Sequence, residues 1–341
     1  MAALLCVALA FVPLFMSRRP SARLPSGEVV SLLGVVKGTK PFLYPHSPVS
    51  RLLSSVHLTN GINLGPLHYH HIWSVNQSQP SLSNSIQLVL CHEGPTEDSQ
   101  NNILDPRNSL ARATLADESG EEWESGQNLS GMSDDMVFSG IVDLWGFDVF
   151  PRRGAELRFR VYTNSPEQGW RTVLEFKLPN PYRGDYPRWQ ASPLPAVARN
   201  NELAVSMISM SFGLPRWVAD DQPQVWCTKF RLKLLENGKP SSQLRPESLH
   251  AVDATRNEWT AKLKTDYEAG GVWQVSVYNR VFSPNEVWRM SFTFVPKNSP
   301  HFDSRSTLLK EADLRTFDFL VQPPTNPPSF KTPLPAGMKW Q

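Results

Sequence analysis

Asp117-Glu118-Ser119-Gly120-Glu121-Glu122-Trp123 and Asp253-Ala254-Thr255-Arg256-Asn257-Glu258-Trp259 are two settings of one pattern, Asp-x-(Ser/Thr)-x-x-Glu-Trp. Upstream of them, Val30-Ser31-Leu32-Leu33-Gly34-Val35-Val36-Lys37-Gly38 matches Val205-Ser206-Met207-Ile208-Ser209-Met210-Ser211-Phe212-Gly213. Downstream, Leu157-Arg158-Phe159-Arg160-Val161 matches Trp288-Arg289-Met290-Ser291-Phe292. Three matched pairs in the same order predict a duplicated β domain. Within the heptapeptide the Asp side chain suits the backbone N–H groups that follow it, and the Trp suits a core. Asp117, Trp123, Asp253 and Trp259 therefore read as a repeated hairpin corner rather than as acidic ligands for Ca²⁺, which wants six to eight oxygens.

The pattern between these anchors has period two. Ile86, Leu88 and Leu90 alternate with Gln87, Val89 and Cys91, and Leu157, Phe159 and Val161 alternate with Arg158, Arg160 and Tyr162. Trp226 to Leu234 and Trp288 to Phe294 repeat the rhythm. Strands of this kind bury one face and wet the other, as in antiparallel sandwiches. Asn237-Gly238 is the signal of a two-residue hairpin. The best helical candidate, Thr307 to Leu314, is short. The expected fold is all-β: two tandem antiparallel, immunoglobulin-like sandwiches of about seven strands each, related by duplication, after a short N-terminal hydrophobic helix.

At 341 residues the chain has room for two cores. The predicted division is an anchor over 1–24, a first sandwich over 25–181, a Pro-rich linker over 182–200, a second sandwich over 201–322 and a Pro-rich tail over 323–341. The repeats are unequal. Gly38 precedes Asp117 by 79 positions, Gly213 precedes Asp253 by only 40, and the surplus falls mainly in an insertion over 39–85. Loops on a rigid sandwich commonly carry binding, so the insertion is the first place to look.

A net charge of +2 with 19% charged residues argues against nucleic acid as a partner. The three cysteines, Cys6, Cys91 and Cys227, do not make a disulfide framework. Ala2 to Met16 is apolar but shorter than the ~20 residues of a membrane span. It is read as a signal or anchor segment, tethering the protein at the cell envelope. Arg18, Arg19 and Arg23 would hold the following chain on the cytoplasmic side, so the side of the membrane stays open.

Candidate chemistry is sparse. His68, His70 and His71 form the densest titratable cluster, beside Trp73 and inside the insertion. On an extended chain His68 and His70 share a face, the spacing of a two-His metal clamp. Acids gather at Asp117, Glu118, Glu121, Glu122, Glu124, Asp134 and Asp135, where a hydrolase would need two carboxyls facing across a cleft. Arg152 and Arg153, with Arg158 and Arg160, form a basic stripe able to receive an anion. Trp145, Trp170, Trp189 and Trp217 lie beside Gly or Pro or in predicted loops and are candidates for sugar stacking. No nucleophile elbow, phosphate loop, zinc-protease motif or cofactor signature is present.

Three stretches, Ser26-Gly27-Glu28-Val29-Val30-Ser31-Leu32, Phe150-Pro151-Arg152-Arg153-Gly154 and Glu175-Phe176-Lys177-Leu178-Pro179-Asn180-Pro181, carry a resemblance. The chain resembles uncharacterised bacterial all-β proteins with an N-terminal anchor, a resemblance that implies no activity. The expected function is a non-enzymatic, membrane-tethered binding or structural module of a bacterial cell envelope. It would contact a protein or glycan through the first domain's loops, with no cofactor. The alternative is a hydrolase or metal-dependent enzyme using His68 and His70 or paired acids.

Overall fold

The computed structural model describes residues 20–24, 27, 29–38, 42–45, 69–73, 84–93, 111–124, 127–130, 141–165, 169–213, 226–278, 282–298, 314–328 and 331. The apolar run before residue 20, His68, Trp217, Asp134, Asp135 and the helical candidate 307–313 lie outside them. Among the described residues there is no α-helix, and none long and apolar enough to cross a membrane. The chain is all-β, with antiparallel pairing throughout the described strands, and divides into two units after Arg183.

In the first unit the strands are β1 (Ser21–Arg23), β2 (Val29–Lys37), β3 (Phe42–Pro45), β4 (Tyr69–Trp73), β5 (Ile86–Glu93), β6 (Ala111–Ala116), β7 (Glu122–Glu124), β8 (Gln127–Ser130), β9 (Ile141–Phe147), β10 (Glu156–Ser165) and β11 (Gly169–Pro179). They form a five-stranded sheet, β1-β2-β5-β9-β8, a four-stranded sheet, β11-β10-β6-β7, and the hairpin β3-β4. The inward side chains of both sheets close one core. Leu32, Leu88, Leu90 and Phe147 meet Leu115, Leu157, Phe159 and Phe176 there. Phe159 takes Phe147 edge-on at 6.2 Å and stacks with Phe176 at 6.4 Å, arrangements that aromatic quadrupoles favour.

The second unit runs β12 (Ala196–Asn200), β13 (Leu203–Gly213), β14 (Cys227–Glu236), β15 (Lys239–Pro240), β16 (Leu244–Asp253), β17 (Glu258–Lys262), β18 (Lys264–Tyr267), β19 (Val272–Tyr278), β20 (Trp288–Pro296) and β21 (Arg315–Val321). Its sheets are β12-β13-β14-β19-β18, with β15 paired to β14, and β17-β16-β20-β21. Phe230 meets Phe292 at 5.2 Å in this core. Asn237 and Gly238 both take positive φ in the β14–β15 turn, as a two-residue hairpin requires.

Strand for strand the two sheet orders coincide, from the β1/β12 edge through to β11/β21. The matched sequences occupy matching places. β2 bulges at Leu33 and β13 at Ile208, the same position of the first pair. Trp123 lies opposite Leu115 and Trp259 opposite Ala251, each two residues before its Asp. Leu115 in turn pairs Phe159, and Ala251 pairs Met290, which is the alignment of the third pair.

Both heptapeptides fold into the same corner. Asp117 Oδ1 accepts from the Ser119 N–H at 2.9 Å, the Ser119 hydroxyl at 2.6 Å and the Glu121 N–H at 3.2 Å. Asp253 Oδ1 accepts from the Thr255 N–H, the Thr255 hydroxyl and the Asn257 N–H at 2.8, 2.8 and 2.9 Å. The fourth residue is left-handed in both, Gly120 at φ 86 and Arg256 at φ 70. That conformation costs an L-residue ~1–2 kcal/mol, most of which glycine avoids. Arg256→Gly is therefore expected to raise the stability of the second unit by about 1 kcal/mol. A melting temperature below the parent's would refute that strain.

Several expectations need correction. Among the described residues the two principal sheets hold nine strands in the first unit and ten in the second, rather than about seven. The stretch read as anchor contains β1 at its end, and Leu24 is buried in the core. The stretch read as linker opens with Tyr182, packed in the first unit, and closes with β12, an edge strand. The alternation in β5 is not buried-against-wet either. Gln87, Val89 and Cys91, read as the outward face, are 3%, 2% and 1% exposed. This strand is covered on both sides, consistent with its near-continuous apolar run.

Candidate functional site

Of the sequence-selected residues of the first unit, Arg152 lies at the base of the insertion, with Arg153 beside it in sequence. Gly38 follows β2 and its N–H donates to the Ser85 carbonyl at 2.8 Å, so the chain leaves and re-enters the sheet at one point. Tyr182 donates its hydroxyl to the same carbonyl at 2.9 Å. Arg152 reaches the neighbouring residue, donating from Nη2 to the Asn84 carbonyl at 2.5 Å. Its guanidinium carbon lies 4.6 Å from the Phe150 ring centre and 4.8 Å from that of Tyr182. Lys37 Nζ stands 5.0 Å from the centre of the Tyr182 ring.

Asn180 builds the surrounding loop. Its Nδ2 donates to the Pro151 and Gly154 carbonyls at 3.2 and 2.9 Å, while its Oδ1 accepts the Tyr182 N–H at 3.0 Å. The stretches Phe150–Gly154 and Asn180–Pro181, distant in sequence, thus form one clamp at the root of 39–85. Arg152 is 2% exposed and is not part of a wet basic stripe, which corrects its reading as an anion receiver. A guanidinium is weakly hydrated and stacks on rings, so it can be buried where an ammonium is costly. Arg153 is half-buried next to it.

Trp145 is likewise corrected. It sits in β9, 1% exposed, with its ring 6.4 Å from Phe159, and cannot stack on a sugar. Its alternation is hidden in sequence because Gly146 follows it on the outward side. Trp170 and Trp189 are half-buried.

His70, His71 and Trp73 fall in β4, with Tyr44 opposite His70, Leu43 opposite His71 and Phe42 opposite Trp73. His68 lies outside the described residues. Among the described residues no group of three His, Cys, Asp or Glu is placed to hold a metal ion.

The acids of the first corner are engaged structurally. Glu118 Oε1 accepts the Ala155 and Glu156 N–H groups, both at 3.1 Å. Glu122 Oε1 accepts from Arg160 Nη1 and the Tyr162 hydroxyl, both at 2.6 Å. Arg160 also donates to Glu175 at 2.7 Å, and Arg112 pairs Glu124 at 3.1 Å. Burial alone would lower the Arg160 pKa, but the bonds to Glu175 and Glu122 raise it above the usual arginine value. Cross-strand charge ladders of this kind secure the solvent face of a sheet.

Fold and site together define an all-β protein of two like-ordered units, the first carrying a clamped insertion. No family model, curated protein or solved structure matches the chain.

Proposed function

We propose that this chain is a non-enzymatic binding or structural module, made by duplicating one immunoglobulin-like sandwich, and that it meets its partner through the insertion 39–85. The strand orders support the duplication. With the leading edge strand set aside, each unit reads as an A-B-E-D sheet facing a G-F-C-C′ sheet, the Greek-key order of immunoglobulin-like domains. The shared bulge and the two corners with the same three bonds to the Asp Oδ1 support a common origin for the copies.

The observation that carries the functional reading is the clamp. The chain between β2 and β5 carries β3 and β4, and buried Arg152 and half-buried Tyr182 hold the point where the insertion re-enters the sheet. A segment added to one copy and fixed at its root is suited to presentation of a recognition surface. The engaged acids of the first corner favour this over a hydrolase. In this reading the protein is membrane-tethered through the apolar segment before residue 20, at the bacterial cell envelope, and its partner is a protein or a glycan.

A photo-crosslinking amino acid placed at His70 or Trp73 of the full chain tests the assignment. Capture of a defined partner at these positions, and not at Thr316 on the second unit, is the expected result. Equal capture at both places would reject it. Metal analysis of the same protein separates this reading from the enzymatic alternative: a stoichiometric transition metal, lost on replacing His68 and His70 with alanine, would replace this reading with a metal centre.

A further inference from the structure

The central strand of the five-stranded sheet has opposite outer faces in the two units. By register, Gln87, Val89 and Cys91 of β5 correspond to Lys229, Arg231 and Lys233 of β14, because Leu32↔Leu90 and Met207↔Leu232 stand just before matching bulges. The first set is buried. The second forms a file of three cations, with Phe230, Leu232 and Leu234 turned into the core between and beyond them. The neighbours diverge in the same way. Gly34, Val36, Leu144 and Gly146 flank the buried file, whereas Ser209, Ser211, Gln274 and Ser276 flank the cationic one.

Carboxylates neutralise this face only in part: Asp266 of β18 stands opposite Gln274, in the row of Arg231. Arg231 pairs Glu268 at 2.7 Å, but among the described residues Lys229 and Lys233 form no ion pair. Lys264 of β18 adds a cation opposite Ser276, and Arg199 of β12 adds another opposite Ala204. The end of the Lys229 side chain lies over Gly213, where any β-carbon would crowd it. In a chain of net charge +2, this is a local concentration of positive charge on a sheet face that also carries Ser209, Ser211 and Ser276.

We infer that this face docks an anionic polysaccharide. Alternate residues of a strand lie ~6.8 Å apart, so the three cations present charge at intervals along ~14 Å of an extended polymer. The flanking serines and Gln274 supply donors and acceptors for sugar hydroxyls. Nucleic acid is disfavoured because its single strands are held by aromatic stacking, and these rows carry no aromatic ring.

The test is binding of the full chain to polygalacturonate and heparin, with neutral dextran and poly(dT) as controls, across a salt series. Both acidic polysaccharides should bind, dextran should not, and affinity should fall steeply with salt. The double variant Lys229→Gln/Lys233→Gln should bind at least about tenfold more weakly, with the log–log salt slope reduced by about two and the melting temperature unchanged. Lysine-to-glutamine changes at Lys262 and Lys297, off this file, should leave binding intact. Absence of polysaccharide binding, an unaltered affinity in the double variant, or tighter binding of poly(dT) would each overturn the inference.

Discussion

Asp253→Ala is expected to destabilise the second unit by about 3–4 kcal/mol, while Asp117→Ala costs the first unit about 1 kcal/mol. The two corners share the same three bonds to Oδ1, so the difference comes from burial and from one further bond at Asp253. Asp253 is 1% exposed, and its second oxygen also accepts from Asn257 Nδ2 at 2.7 Å. Removing the carboxylate strands two backbone N–H groups, a hydroxyl and an amide away from water, and each unmet buried donor costs about 1–3 kcal/mol. At Asp117 the donors turn to solvent instead. Hydrogen exchange of the Thr255 and Asn257 amides against those of Ser119 and Glu121 reads the two costs separately. Equal losses of protection would show that burial does not set the difference.

Asp253 also has a distinctive pH signature. Burial pushes its carboxyl above the ordinary value of 3.8, although the bonds from Asn257 and Thr255 pull the other way. As pH rises past 3.8 the unfolded chain releases this proton before the folded one does. The group's contribution is therefore complete below that pH and is lost as pH climbs through the raised value. Asp253→Asn should flatten that part of the stability profile.

Arg152→Ala should cost the first unit about 3 kcal/mol, and Arg152→Lys nearly as much. Alanine leaves a void between the Phe150 and Tyr182 rings and removes the donor to Asn84. Lysine restores the charge but not the flat surface that both rings contact. Exchange protection at residues 42–45 and 69–73 should fall first, because the clamp holds the point where their insertion re-enters the sheet. Unchanged stability with loss of partner capture alone would make Arg152 a ligand-binding residue after all.

The limits of the sequence reading are visible in particular residues. The corner Asp and the matched strands were legible because turn chemistry and alternation are local properties of the chain. Arg152 was not: its identity signals an exposed cation, and only Phe150, Tyr182 and Asn84, brought from three separate segments, make a buried place for it. Trp145 was misread because the neighbouring Gly146 erased the polar half of its alternation. Val89 and Cys91 fit either a wet or a doubly covered strand, since periodicity does not report what lies over a sheet.

The amino-acid order alone determined that this protein is built of antiparallel strands and that matched motifs recur along it in one order. Those features follow from side-chain periodicity and hairpin chemistry, which act over a few residues. Tertiary structure decided which charges are spent inside the fold and which remain outside. It buried Arg152 at the insertion's root and left Lys229 and Lys233 on an open face, because burial depends on what the rest of the chain lays over a side chain.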